Sequence, residues 1–217
     1  MPVSQSFIPA LAYRRLTRFY DPVVRWSTRE RTIKARLLAQ AGIRDGHRVL
    51  DVGCGTGTFA VAIKEATPRA DVVGLDADPQ MLALASRKAA ASGANISFVR
   101  GLATDLPFAD GSFDRVVSSL FFHHLDREAK ARALREIHRV LIPQGELHLV
   151  DWGRPTNPIM RAAFLSVQLL DGFATTTDNV RGLLPVLVES CGFSRVTETQ
   201  RYATLCGTLS LLRAVRA

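Results

Sequence analysis

Gly53, Gly55 and Gly57 stand at alternate positions directly after an apolar run, Arg48-Val-Leu-Asp-Val52, in which Asp51 lies two residues ahead of the first glycine. Nineteen residues past Gly57 a second run, Ala70-Asp-Val-Val-Gly-Leu75, ends on Asp76 and Ala77. Glycines in a turn let backbone approach a ligand that a Cβ would hold off. An acid at the end of the following strand is placed to take the hydroxyls of a ribose. Strand, glycine turn, helix, strand and acid are what a βαβ unit needs to hold an adenosine-containing cofactor. Further along, His123 and His124 follow a fourth strand-like run. An imidazole titrates near neutral pH, so either suits a general base; Asp151 and Tyr20 are weaker candidates for that role. The plainer alternatives are a turn that only joins strand to helix, a solvated acid at Asp76, and histidines that only hydrogen-bond locally.

These residues need a parallel sheet to position them. Asp78-Pro79 reads as N-cap and first helical residue, and Met81, Leu82, Leu84 and Ala85 give the helix after it an apolar side. Strands are predicted at 96–100 and, after an Asp110-Gly111 turn, at 113–120. Residues 127–141 form a helix with Ala133, Leu134, Ile137, Val140 and Leu141 at 3,4 spacing. Pro143-Gln-Gly145 stops it before a fifth strand at 146–151. A long apolar stretch, Trp152–Thr177, contains Phe164, Val167, Leu169 and Phe173 and reads as a lid over the carboxyl edge or as a plain packing helix. Residues 179–191 read as one helix ended by Gly192, and 194–202 and 204–215 as two final strands.

The glycine spacing is G-x-G-x-G with Thr58 next, whereas a nicotinamide-binding turn usually reads G-x-G-x-x-G. With Asp51 ahead of it, this turn resembles motif I of the class I S-adenosylmethionine-dependent methyltransferases. The resemblance continues through Asp76, Asp105-Leu-Pro-Phe108 and the helix and strand around Pro143-x-Gly145, over roughly residues 45–152. It implies an α/β, Rossmann-like, doubly wound sheet of seven strands in the order 3-2-1-4-5-7-6, the last antiparallel, with an N-terminal helical cap. The single domain then divides into cap (1–44), cofactor core (45–151), lid (152–178) and a helix with C-terminal hairpin (179–217). The cofactor implied is S-adenosylmethionine. Asp51 would balance its ammonium, Gly53, Gly55 and Gly57 would line its path, and Asp76 with Ala77 would meet the ribose. Asp105 would accept from the adenine amino group and the Leu106 backbone would meet the ring edge. Leu-Pro-Phe and Phe121-Phe-His-His-Leu125 look most like the ubiquinone and menaquinone biosynthesis type, which implies a small, partly apolar methyl acceptor.

Composition narrows the partners. The 217 residues are 47% hydrophobic and 22% charged, ordinary for a globular chain. No apolar run is long enough for a membrane span or a signal sequence, and the odd, scattered set Cys54, Cys191 and Cys206 has no metal-ligand spacing; a reducing, cytoplasmic setting is expected. Cys54 reads as a small packing residue rather than a nucleophile. The net charge is +8, of which residues 1–47 carry +6. Arg14, Arg15, Arg18, Arg25 and Arg29 are interleaved there with Tyr13, Phe19, Tyr20 and Trp26. A solvated basic face, or attraction of an anionic substrate or lipid surface, explains this; no nucleic-acid module is recognisable, so no nucleic acid is expected. The oligomeric state leaves no sequence signature. Two other function classes remain open at this point, a non-catalytic S-adenosylmethionine-binding protein and a nicotinamide-dependent oxidoreductase.

Overall fold

The computed structural model describes residues 30–217. Its first helix, α1 (Glu30–Ala41), is followed by β1 (Arg48–Val52), α2 (Thr58–Ala66), β2 (Asp71–Asp76), α3 (Pro79–Ser92), β3 (Ser97–Arg100) and β4 (Phe113–Ser119). A 3₁₀ turn (Phe122–His124) leads into α4 (Arg127–Val140) and β5 (Leu141–Trp152). Then come α5 (Pro158–Asp171), α6 (Phe173–Arg181), α7 (Leu184–Ser190), β6 (Phe193–Thr204) and β7 (Gly207–Arg216). The seven strands form one sheet in the expected order, β3-β2-β1-β4-β5-β7-β6. Pairing is parallel from β3 to β5, and β7 runs antiparallel to both β5 and β6.

The strands are apolar throughout because both faces of the sheet are covered. Val49 and Leu50 are each 0% exposed on opposite faces. Val49 packs with Ile33 and Leu37 of α1, Phe59 and Ile63 of α2 and Phe164 of α5. Leu50 packs with Leu134 and Ile137 of α4 and with Leu184 and Val188 of α7. Each large side chain so buried contributes roughly 1.5–3 kcal/mol. Helix starts follow their caps: the Asp78 carboxylate accepts from the Gln80 amide at 2.8 Å with Pro79 behind it, and Asp126 accepts from the Ala129 amide at 2.8 Å. The parallel strands and capped helices together aim the ends of β1, β2, β4 and β5 at one edge.

Two boundaries and one side-chain placement differ from expectation. The segment expected as one helix over 179–191 is two, because α6 begins at Phe173 and Gly182 breaks it in the left-handed conformation at φ 70°. β5 starts at Leu141 rather than after Gly145; the Pro143-Gln144-Gly145 stop is absorbed as an irregularity in the β4–β5 register, with Gln144 at φ 63°. The apolar stretch after β5 does not present Phe164 to an open pocket. Phe164 is 1% exposed and stacks edge-on to Trp152 with ring centroids 5.3 Å apart, whereas Leu169 is 75% exposed. The expectations for Arg14 to Arg29, Tyr13, Phe19, Tyr20 and Trp26 lie outside the described residues. Among the described residues no helix is long and apolar enough to cross a membrane.

Candidate active site

The glycine turn joins β1 to α2, and each glycine serves a separate need. Gly53 has φ 70°, and a Cβ there would lie 2.3 Å from the Phe121 ring. Gly57 has φ 72°, and its Cβ would lie 2.8 Å from that of Ala85 on α3. Only Gly55, at φ 52°, faces open space. The turn thus packs against protein at its two ends and leaves its middle free for a ligand. Two acids flank that opening. Asp76 accepts from the Gly55 amide at 2.9 Å through Oδ2 and from the Asp78 amide at 2.9 Å through Oδ1. Each oxygen keeps lone-pair capacity for a further donor. The Ala77 carbonyl, next to it, accepts from Arg100 at 3.4 Å.

Asp51 is 1% exposed, and its Oδ2 has no hydrogen-bond partner among the described residues. Burial, with the nearby Asp76 charge, pushes its carboxyl up to about 7, against the pull of Lys34. A buried carboxylate oxygen without a donor needs an explanation, and a cationic group beside the turn supplies one. An open Gly55, an Asp76 with spare lone pairs and an Asp51 with one unanswered oxygen fit a cofactor that carries both a ribose and an ammonium. The Lys88 ammonium of α3 donates to the hydroxyls of Thr56 (2.9 Å) and Thr58 (2.5 Å), which ties α3 to the turn. Cys54 is buried here, and burial with the two carboxylates pushes its thiol pKa up, so it packs and is no nucleophile.

On the adenine side, the Leu106 backbone has partners that the sequence did not show. Asp105 is exposed at the 102–105 turn, but the Leu106 backbone is already engaged. Its amide donates to Glu136 at 2.8 Å and its carbonyl accepts from Arg139 at 3.0 Å. Arg139 also holds the Phe108 carbonyl and the Asp110 carboxylate, so α4 clamps this turn. Neither backbone group of Leu106 is left for a ring edge; its side chain, 3% exposed, is core.

The second half of the site follows β4. Phe121 fills the space that Gly53 leaves, and this seats the 3₁₀ turn with His123 and His124 against the glycine turn. His123 is 4% exposed and its Nδ1 lies 2.8 Å from Asp151 Oδ1. An ionised carboxylate only accepts, so Nδ1 carries a proton in either state of the ring, and Nε2 is the nitrogen that gains or loses one as the ring titrates. Asp151, at the end of β5, also accepts from the amides of Trp152 (2.7 Å) and His123 (3.3 Å) and from Asn179 Nδ2 (3.3 Å). His123 Nε2 is 3.6 Å from Asp171 Oδ2, too long for a hydrogen bond. Burial works to lower the His123 pKa, but Asp151 and then Asp171 outweigh it, and the net shift is upward. Burial raises and His123 lowers the Asp151 carboxyl, with a net shift downward. His124 goes the other way: burial and the charge on His123 push it down to about 3, so it is neutral at physiological pH.

The structure therefore separates two histidines that the sequence left equivalent, and it adds Asp171, Asn179 and the buried Lys130. Lys130 is 0% exposed and donates to the Thr175 carbonyl at 2.5 Å, fastening α6 beside the histidines. None of these three has a local sequence signature. Asp171 lies forty-eight residues beyond His123, at the end of a helix. Its carboxylate and the two imidazoles place three ligand-capable atoms within 4.8 Å of one another, a convergence that no spacing in the chain announces. An imidazolium held between two carboxylates accounts for these contacts.

A doubly wound sheet in this strand order, with a glycine turn after β1 and an acid closing β2, is the fold of the class I methyltransferases. Residues 49–145 match the family model described as a methyltransferase domain. It is 40% identical over 126 residues to the demethylmenaquinone methyltransferase of Deinococcus radiodurans, a match covering 58% of this chain and 52% of that protein. The chain spans about half the length of the curated relatives it matches. Among solved structures, a SAM-dependent methyltransferase from Aquifex aeolicus superimposes with a TM-score of 0.69 at 19% identity, covering 98% of this chain and all of that one. The [4+2]-cyclase SpnF superimposes with a TM-score of 0.68 at 19% identity over 85% of this chain and 80% of that one. At these identities the likeness establishes the fold, and SpnF's name shows that the fold hosts more than one reaction.

Proposed function

We infer that the protein transfers a methyl group from S-adenosylmethionine to a small, partly apolar acceptor, and that the acceptor is quinol-like, as the name of the Deinococcus relative suggests for its own substrate. The observation that carries the cofactor reading is the pair of acids around the one open glycine: Asp51 with an unanswered buried oxygen, and Asp76 with spare lone pairs. Thr58 in place of a third-spacing glycine speaks against a nicotinamide cofactor. The sulfonium of the cofactor supplies an already activated methyl group. The protein then has to align the acceptor, exclude water and accept a proton.

His123 is the residue for that proton. Asp151 fixes its tautomer and orientation and stabilises the cation formed, and Nε2 is the atom that accepts. His124 is too weak a base. Asn179, by donating to Asp151, is a positioning residue. Glycine-turn and histidine segments are coupled through Phe121 against Gly53, so cofactor and base share one rigid reference. The acceptor, the lid role of 152–178, any contact with anionic lipid and a cytoplasmic setting stay within this reading.

The experiment is S-adenosylhomocysteine release measured against a panel of quinols, phenols and amines, with calorimetric titration of S-adenosylmethionine and of a nicotinamide dinucleotide. Cofactor binding with no release on any acceptor would favour a non-catalytic binding protein. Binding of the dinucleotide alone would discard the reading.

A further inference from the structure

On the α7 side of the sheet, where β5 ends against β7 and β6, lies a pocket of about 130 Å³ lined by Asp151, Asn179, Arg154, Arg181, Glu198 and Arg201, among others. Ligand pockets for whole drug-sized molecules run to about 300–1,000 Å³, so this one takes a group of a few heavy atoms. Its charges are unequal. Asp151 is answered by His123, and Glu198 by Arg201 at 2.8 Å. Arg154 and Arg181 have neither a hydrogen-bond nor an ion-pair partner among the described residues. Arg154 is not loose: its stem packs over Gly182, where a Cβ would come within 3.1 Å of it. Two guanidiniums, one just past β5 and one at the end of α6, thus line one small concavity without a direct partner; Asp178, the carboxylate that feels Arg181, is bound by Arg127.

The pocket wall adds a second, independent demand. Asn179 is 0% exposed, and its amide nitrogen is committed to the Trp152 carbonyl at 2.9 Å and to Asp151. Its amide oxygen has no donor among the described residues. A fully buried acceptor left unpaired is destabilising, and a ligand hydroxyl or N–H would answer it. We propose that this pocket binds a small oxyanion carrying its own hydrogen-bond donor, in the class of hydrogen phosphate or a hydroxycarboxylate, with Arg154 and Arg181 on the anion and Asn179 on the donor. Guanidiniums are the natural partners of such planar or tetrahedral oxyanions. Asn179 also touches Asp151, so an occupant sits one residue behind the His123–Asp151 pair. The anion is either a free small molecule or the charged end of the methyl acceptor itself.

Calorimetric titration of the full chain at low ionic strength with inorganic phosphate, glycolate and acetate tests this directly. Saturable binding of phosphate is expected, with glycolate tighter than acetate because only glycolate brings a donor. Arg154→Gln and Arg181→Gln, both at exposed positions, should each weaken phosphate at least about tenfold, the scale of one charge-assisted hydrogen bond. Arg69→Gln, at an exposed pair with Asp45 elsewhere, should leave it unchanged. Absence of saturable binding of all three anions, or equal binding by all variants, overturns the proposal. Phosphate that competes with the acceptor marks the anion as the acceptor's own; phosphate that binds without competing marks a separate ligand, and either result supports the site. The titration reads anion binding and not turnover, so its failure is distinct from failure of the methyl-transfer reading.

Discussion

The two halves of the carboxyl edge are built in opposite ways. The cofactor half, from β1 through the start of α3, is contiguous: Asp51, Gly53, Gly55, Gly57 and Asp76 fall within one βαβ unit, and its key contacts are made by backbone amides. The histidine half draws His123 from beyond the end of β4, Asp151 from β5, Asp171 from α5 and Asn179 from α6, and side chains make one side of every contact. The first can be read as a motif because each residue type answers a local backbone need. The second depends on which helix packs where. Its parts stand together through long-range contacts such as Lys130 to Thr175 and Phe121 against Gly53. Local motifs hold a cofactor that many proteins share; distant residues set the chemistry particular to one chain.

The largest expected effect tests the assembled half alone. His123→Gln should lower turnover about 10²–10⁴-fold, the usual contribution of a positioned base, with S-adenosylmethionine affinity intact. Asp151→Asn should follow it, since the amide cannot anchor the same tautomer as firmly. His124→Ala should leave turnover within a few-fold. Steady-state rates on a confirmed acceptor, beside cofactor titrations, decide this; a normal rate for His123→Gln would leave alignment alone to carry the reaction.

Next comes the joint between the halves. Gly53→Ala places a methyl group where the Phe121 ring stands, at a positive φ as well. Overpacking of this kind costs about 1–3 kcal/mol, and strain in the left-handed region adds to it. Both cofactor affinity and turnover should fall, since the clash pushes the histidine turn away from the glycine turn. Gly53→Ala combined with Phe121→Ala should recover much of the stability. If the double variant is no more stable in denaturant than the single one, the two halves are not coupled at this contact.

Asp76→Ala probes the contiguous half. Loss of hydrogen bonds to a charged group should weaken S-adenosylmethionine by about 1.5–3 kcal/mol. The structure adds a consequence that a strand-end acid on its own would not have. The carboxylate also holds the Gly55 and Asp78 amides, so the apo-protein should lose stability too. Calorimetry and a urea melt of the unliganded protein separate the two. An unchanged affinity would remove Asp76 from the cofactor site.

The strand order and the class of fold were legible from the residues because parallel strands, caps and glycine turns obey short-range rules. Asp78-Pro79 and the 3,4 apolar spacing of α4 are examples. The partners of the Leu106 backbone were not legible because Glu136 and Arg139 lie about thirty positions away on α4. The difference between His123 and His124 was invisible because it rests on Asp151 and Asp171. Phe164 and Leu169 share one apolar segment, and only the packing of α5 against Trp152 decides which is core.

pH then separates the two functions of His123. Its folded pKa is raised, so the stability that it contributes is fully present below the unfolded value of about 6.5 and is lost as pH rises through the folded value. The base form appears over that same rise. Turnover should therefore climb while thermal stability declines, both in a window above 6.5. His123→Gln should flatten the stability change. Parallel melts and rate profiles of the two proteins give the test, and wild-type turnover that is already maximal below 6.5 would contradict the raised pKa.

The smallest effect concerns the outer face of α5. Leu169 is 75% exposed, so Leu169→Ser should change stability by no more than about 0.5 kcal/mol. Its neighbours on the outward side, Ile159 and Leu165, are exposed too. If α5 closes over a bound acceptor, these side chains gain contacts only in the complex. Leu169→Ser would then raise the acceptor's KM a few-fold with kcat and cofactor affinity held. Phe164→Ala, by contrast, removes a 1%-exposed ring and should cost about 3–5 kcal/mol of stability whatever the acceptor does. An unchanged KM for Leu169→Ser, measured with the quinol-like acceptor found active, would make α5 a packing helix whose outer face takes no part in methyl transfer. The lid would then have to be sought outside α5.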